Sequence, residues 1–174
     1  MKFNLFEIQL ILSRTPLLLN QLLSELPEEW IKNNEGENTW SPYDIVGHLI
    51  HGEKTDWIPR AKIILENGAD KNFEPYDRFA QFENSKGKTI GTLLSEFGEL
   101  RNRNIDELKK MNLSAEQLEL EGIHPEFGKV TLKELLSTWL VHDLNHINQI
   151  TRVLATNYKK KVGPWIQYIS FMNR

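Results

Sequence analysis

The sequence contains no cysteine. That absence excludes disulfides, thiolate metal sites and a cysteine nucleophile. Any metal must be held by nitrogen and oxygen ligands, and any thiol in a reaction must arrive with a cosubstrate. A large charge of one sign is also lacking. The formal net charge is −3 over 174 residues, and no strongly basic run marks a nucleic-acid partner. The only basic cluster, Lys159-Lys160-Lys161, follows a predicted helix C-terminus, where cations suit the macrodipole. Long hydrophobic runs are missing too. Asn4, Glu7, Gln9, Ser13 and Arg14 interrupt the apolar N-terminal segment, which has no small-residue cleavage site. No stretch approaches the roughly 20 apolar residues of a membrane span. The expectation is a soluble, cytoplasmic chain without a membrane partner. Glycine-rich phosphate loops, Ser/His/Asp arrangements and internal repeats are likewise absent.

What is present is helical periodicity. The chain is 40% hydrophobic and 26% charged, an ordinary balance for one domain spanning residues 1–174. Leu5, Ile8, Ile11 and Leu12, then Leu17 to Leu19, Leu22 and Leu23, predict a first amphipathic region. Pro16 either starts a second helix there or kinks a single one. Residues 27–40 read as a loop. A second helix starts at Ser41 as N-cap, with Pro42 in its first position and Asp44 at the third, and runs towards Leu65 with a bend at Pro59. Residues 68–88 form a long polar connection with some aromatic residues, of a length that is more often functional or packed down than idle. A third helix spans about Thr89 to Met111, and a short one follows Ser114. Residues 122–128 read as a turn. The fourth long helix opens on a Thr131/Glu134 capping box and reaches Tyr158. A short helix with Trp165 closes the chain. No segment alternates long enough to predict a strand. The fold class is therefore all-α, a four-helix bundle with short additional helices. Such bundles build metal sites from side chains on facing helices.

The fourth helix carries the chemistry. Leu135, Trp139, His142, His146, Ile150 and Val153 share one stripe, so two imidazoles face the core with the leucines. A buried polar group without a partner costs roughly 1–3 kcal/mol, so something must satisfy them. His-x-x-x-His is the usual way for one helix to offer two imidazoles to one ion. His48 lies on the buried side of the second helix beside Ile45 and Leu49. Three neutral imidazoles would leave coordination positions open for water or substrate. The alternative is a set of core histidines bonded to backbone or carboxylates.

Trp40-Ser41-Pro42, Asp44 through Leu49, Glu53, His124-Pro125, Gly128, Trp139 through Ile150 and Val162-Gly163-Pro164-Trp165 together resemble the DinB family, of the DinB/YfiT-like superfamily of metalloenzymes. The resemblance covers nearly the whole chain. It implies a four-helix bundle with a three-histidine site for nickel, zinc or a similar divalent ion, with ligands at His48, His142 and His146. It also implies a small-molecule substrate and, as in relatives that are S-transferases, a low-molecular-weight thiol such as bacillithiol, glutathione or mycothiol. A homodimer is a further expectation from relatives. The contrasting expectation is a non-catalytic bundle, a binding or stress-associated protein whose histidines are structural or hold metal only for stability.

Other residues carry paired readings. His51 is a fourth ligand or a half-exposed helix residue. Glu53 and Asp56 are a supporting carboxylate or a general base, or else solvated charges, with Glu53 beside Lys54 or Arg60. Asp143 and Asn145 face neighbouring helices or solvent. Gln149 could orient a ligand. His124 is a structural turn residue or is carried to the site by its loop. Trp40, Trp57, Trp139 and Trp165 read as core.

Overall fold

The computed structural model describes residues 2–68 and 70–170. Its first arm is broken. Asn4 caps α1 (Leu5–Leu12) through Oδ1, and α2 (Thr15–Leu23) follows with Pro16 in its first turn. The two-helix alternative at Pro16 is the one adopted. The segment read as a loop also contains a short helix, α3 (Glu28–Lys32).

The second arm begins where the sequence places it. Ser41 and Asp44 form a reciprocal capping box on α4 (Pro42–Thr55), with Pro42 in the first turn. The predicted bend at Pro59 lies instead at Asp56, the residue between α4 and α5 (Trp57–Leu65). Pro59 is then in the first turn of α5, where a missing N–H breaks no intrahelical bond. The connection after α5 is not structureless: it contains α6 (Ala80–Asn84), which packs on α4.

Thr89 caps α7 (Ile90–Lys110), and a Ser114/Gln117 capping box starts α8 (Ala115–Leu118). The segment predicted to be a plain turn is a hairpin. Strands β1 (Glu121–His124) and β2 (Gly128–Thr131) pair antiparallel, with Gly122 opposite Val130. Its other edge is closed by Lys71 to Phe73, through Ile123 N–H to the Lys71 carbonyl at 2.8 Å and Phe73 N–H to the Ile123 carbonyl at 2.9 Å. A Cβ on Gly122 would meet the Phe73 ring at 2.6 Å, so only glycine allows this approach. Thr131 ends β2 and caps α9 (Leu132–Thr156) through a box with Glu134.

The broken first arm, α4 with α5, α7 and α9 make a four-helix bundle. Its core has two apolar halves. One contains Leu93, Phe97, Ile45, Leu49, Ile150 and Leu154; the other contains Ile105, Leu108, Trp57, Leu132, Leu136 and Trp139. Between them, at the waist of α4, α7 and α9, lies a layer of polar side chains. The last turns, 159–161 and 163–168, are 3₁₀. Trp165 is 69% exposed there, against its predicted core position.

Candidate metal centre

The two capped starts fix the phase of the helices that meet at the waist. From Ser41, α4 turns His48 inward; from Thr131, α9 turns His142 and His146 to the same point. The structure brings these three predicted residues together. His48 Nε2 and His142 Nε2 are 2.9 Å apart, and one ring nitrogen from each residue lies within 4.8 Å of the others. The ring centroids are 4.4 to 5.0 Å apart.

The opposite ring nitrogens are treated differently. His48 Nδ1 meets the Tyr76 hydroxyl at 2.8 Å, and His146 Nδ1 meets Gln149 Oε1 at 2.9 Å. A proton on each Nδ1 satisfies these partners and leaves Nε2 with its lone pair facing the cluster. His142 Nδ1 is sealed and has no partner among the described residues. Burial foremost, and then mutual repulsion among the histidines, push His48 down to about 3 and His142 to about 2. His146 is also lowered by burial, partly opposed by Gln149 and Asp143. Three neutral imidazoles therefore converge at pH 7, the form that donates to a metal ion. The donor set fits a divalent ion.

The cluster is not sealed. It opens into a cavity of about 570 Å³ whose aromatic wall includes Trp40, Trp57, Phe73 and Tyr76. Trp40 sits 4.9 Å from the His48 ring and is stacked 6.2 Å from His146, so it is a wall of the site and not plain core. Trp57 touches His142 edge-on at 5.1 Å. The long connection after α5 supplies Phe73 and Tyr76, and the hairpin beside it supplies His124, Phe127 and Val130.

Several paired readings now resolve. His51 is buried but points its ring at Tyr76, 4.9 Å away, and does not join the cluster. Gln149 does hold His146. His124 lines the same cavity, at the hairpin. Asp56 lines it too, ion-paired with Arg60 at 3.0 Å, and burial raises it to about 6 against the pull of Arg60.

For Glu53 and Asp143 the solvated alternatives fall, and Asp143 faces a neighbouring helix, the other of its two expected placements. Both are sealed, with Arg101 between them: Nη2 bonds Glu53 Oε1 at 2.8 Å and Nη1 bonds Asp143 Oδ2 at 2.6 Å. Asn104 and Trp139 also donate to Glu53. Burial raises the Glu53 pKa, with Arg101 opposing. Arg101, on α7, was not a candidate from sequence. Its signal was an arginine, with Asn104, in line with Phe97, Leu100, Ile105 and Leu108 on the buried face of α7.

Among the described residues, no helix is long and apolar enough to cross a membrane. The sequence profile of the DinB superfamily matches residues 11–150. Among solved structures, YfiT from Bacillus subtilis, described as a probable metal-dependent hydrolase with an unusual four-helix bundle topology, is 22% identical. Its TM-score is 0.74, over 94% of this chain and 90% of its own. TT2238, described as a four-helix bundle protein, is 18% identical with a TM-score of 0.57, over 85% of this chain and 98% of its own. At these identities the likeness concerns the fold. No curated protein sequence matches the chain.

Proposed function

The chain belongs to the DinB superfamily, and from that premise we propose that it is a divalent-metal-dependent enzyme acting on a small molecule. The observation that carries this reading is the convergence of three neutral imidazoles on the floor of an open cavity. His48, His142 and His146 would hold the ion, and nickel and zinc are among the ions that suit imidazole ligands. When bound, such an ion supplies Lewis acidity that lowers the pKa of a water or a thiol, so that a nucleophile exists at neutral pH. The chain has no cysteine, so a sulfur nucleophile would come from a low-molecular-weight thiol.

The protein's own groups have distinct tasks in this reading. Tyr76 and Gln149 orient two imidazoles. Trp40 and Trp57 limit water around them. Neither carboxylate is free to act as the base: Asp56 lines the cavity but is paired with Arg60, and Glu53 is sealed against Arg101.

Metal analysis of the purified protein tests the centre. A stoichiometric divalent ion is expected in the native chain and its loss in His142→Ala; metal undiminished by that substitution rules the site out. The metal-loaded protein should then turn over an electrophile with bacillithiol, glutathione or mycothiol, or hydrolyse a small amide or ester, and chelation should abolish either activity.

A further inference from the structure

The cavity is lined by further polar groups besides the three histidines, Arg60 and His124 among them. Arg60 is only 8% exposed. Its contacts to Asp56 Oδ1 and to the Glu74 carbonyl, at 3.0 and 3.4 Å, both use Nη2. Nε and Nη1 have no partner among the described residues, and neither is among the sealed polar atoms. The guanidinium lies over the Phe73 ring, 5.2 Å from its centroid.

His124 approaches the same ring edge-on at 6.3 Å and stacks on Phe127 at 4.4 Å. Its Nδ1 accepts from the backbone N–H groups of Glu126 and Phe127 at 3.1 and 3.3 Å. The proton is therefore on Nε2, which becomes a donor. Burial first, and then the Arg60 charge, lower the His124 pKa, which keeps it neutral. The acids of the cavity are already engaged. Asp56 pairs with Arg60, Glu126 pairs with Arg78 at 3.4 Å, and Glu134 accepts the Thr131 N–H at 2.7 Å. What remains is Arg60 Nε and Nη1 and His124 Nε2, donors without an acceptor among the described residues.

We propose that Arg60 and His124 form an anion subsite for the carboxylate of a small organic acid with a flat apolar body. The body would lie along Trp57, Phe73 and Tyr76, with its far end at the histidines. That the far end is the reacting end rests on the function proposed above; recognition of the acid does not. A guanidinium fork and an imidazole N–H are the donors that carboxylate geometry matches. The aromatic walls supply the apolar contact typical of small-molecule sites.

The test titrates the purified chain with benzoate, phenylacetate and 3-phenylpropanoate and with their primary amides, by calorimetry and tryptophan fluorescence. At least one acid should bind about tenfold or more tighter than its amide, the range of a charge-assisted hydrogen bond. Arg60→Met should remove that preference, Arg60→Lys should keep part of it, and His124→Phe should reduce it. Thermal unfolding of each variant establishes that it is folded. The preference should persist in His142→Ala and under chelation, which separates this subsite from the metal centre. Three results overturn the proposal: no binding by any acid at millimolar concentration, an acid preference undiminished in Arg60→Met, or a preference lost on chelation, which would assign the carboxylate to the ion.

Discussion

At the scale of single residues, the site is set by hydrogen bonds on the far sides of the imidazoles. Tyr76 holds His48 from a connection 28 residues away, and Gln149 holds His146 from within α9. Partners of this kind are generally worth about 10–100-fold in metal affinity. Tyr76→Phe keeps the ring and removes the bond, so zinc affinity measured by dye competition should fall about tenfold. An unchanged affinity would reduce Tyr76 to a wall. The metal-free protein should also be acid-labile. His48 and His142 have folded values of about 3 and 2 against an ordinary 6.5, so the unfolded chain binds more protons between those limits. Their contribution to stability is intact above about 6.5 and is lost as the pH falls towards 3. Asp56, raised from 3.8 to about 6, acts in the opposite direction over a narrower range and offsets only part of it. Urea midpoints of the metal-free chain should therefore drop from pH 7 to pH 4, with a shallower slope in His142→Phe. A midpoint independent of pH would mean that the imidazoles are hydrated.

At the scale of elements, Arg101 decides how α4, α7 and α9 meet. It bonds Glu53 on α4, Asp143 on α9 and the Leu12 carbonyl at the end of α1, and it lies between the rings of Phe97 and Trp139. Removing one member of such a cluster leaves buried charge uncompensated. Arg101→Met should cost about 3–5 kcal/mol in urea unfolding. Combining it with Glu53→Gln and Asp143→Asn should recover part of that loss, because the stranded charges are gone; a fully additive loss would contradict this account. The same cluster shows where sequence reading stops. Helix starts at Asn4, Ser41, Thr89, Ser114 and Thr131 follow local rules, and the three histidines fall on apolar stripes. Much of the bundle and its histidine cluster were thus legible. The alternatives for Glu53 and Asp143 stayed open because their common partner is 48 and 42 residues away. The hairpin was hidden for a similar reason. Its strands are four residues each, too short to alternate visibly, and they are held by Phe73 and Lys71 from another part of the chain.

For the molecule as a whole, the waist layer divides the apolar core, and its two polar clusters are not equivalent. The Arg101 cluster pairs a guanidinium with two carboxylates and leaves only Nε without a partner among the described residues, whereas the histidine cluster turns metal-donor nitrogens towards one another and leaves His142 Nδ1 sealed and without such a partner. An ion held there would join α4 to α9 across 94 residues of sequence. Because such an ion binds the folded chain and not the unfolded one, it should stabilise by RT ln(1 + [L]/Kd), about 2.7 kcal/mol at a hundredfold excess over Kd. For a domain of this size each kcal/mol moves the melting temperature by about 2–4 °C. Zinc or nickel should thus raise the midpoint by about 5–10 °C, chelation should reverse it, and His142→Ala should abolish the response. Magnesium, a hard ion that prefers oxygen, should have little effect. A shift that survives His142→Ala would place the bound ion elsewhere. No shift with zinc, nickel or manganese would mean that the three imidazoles are a structural feature of the waist, satisfied by Tyr76, Gln149 and one another.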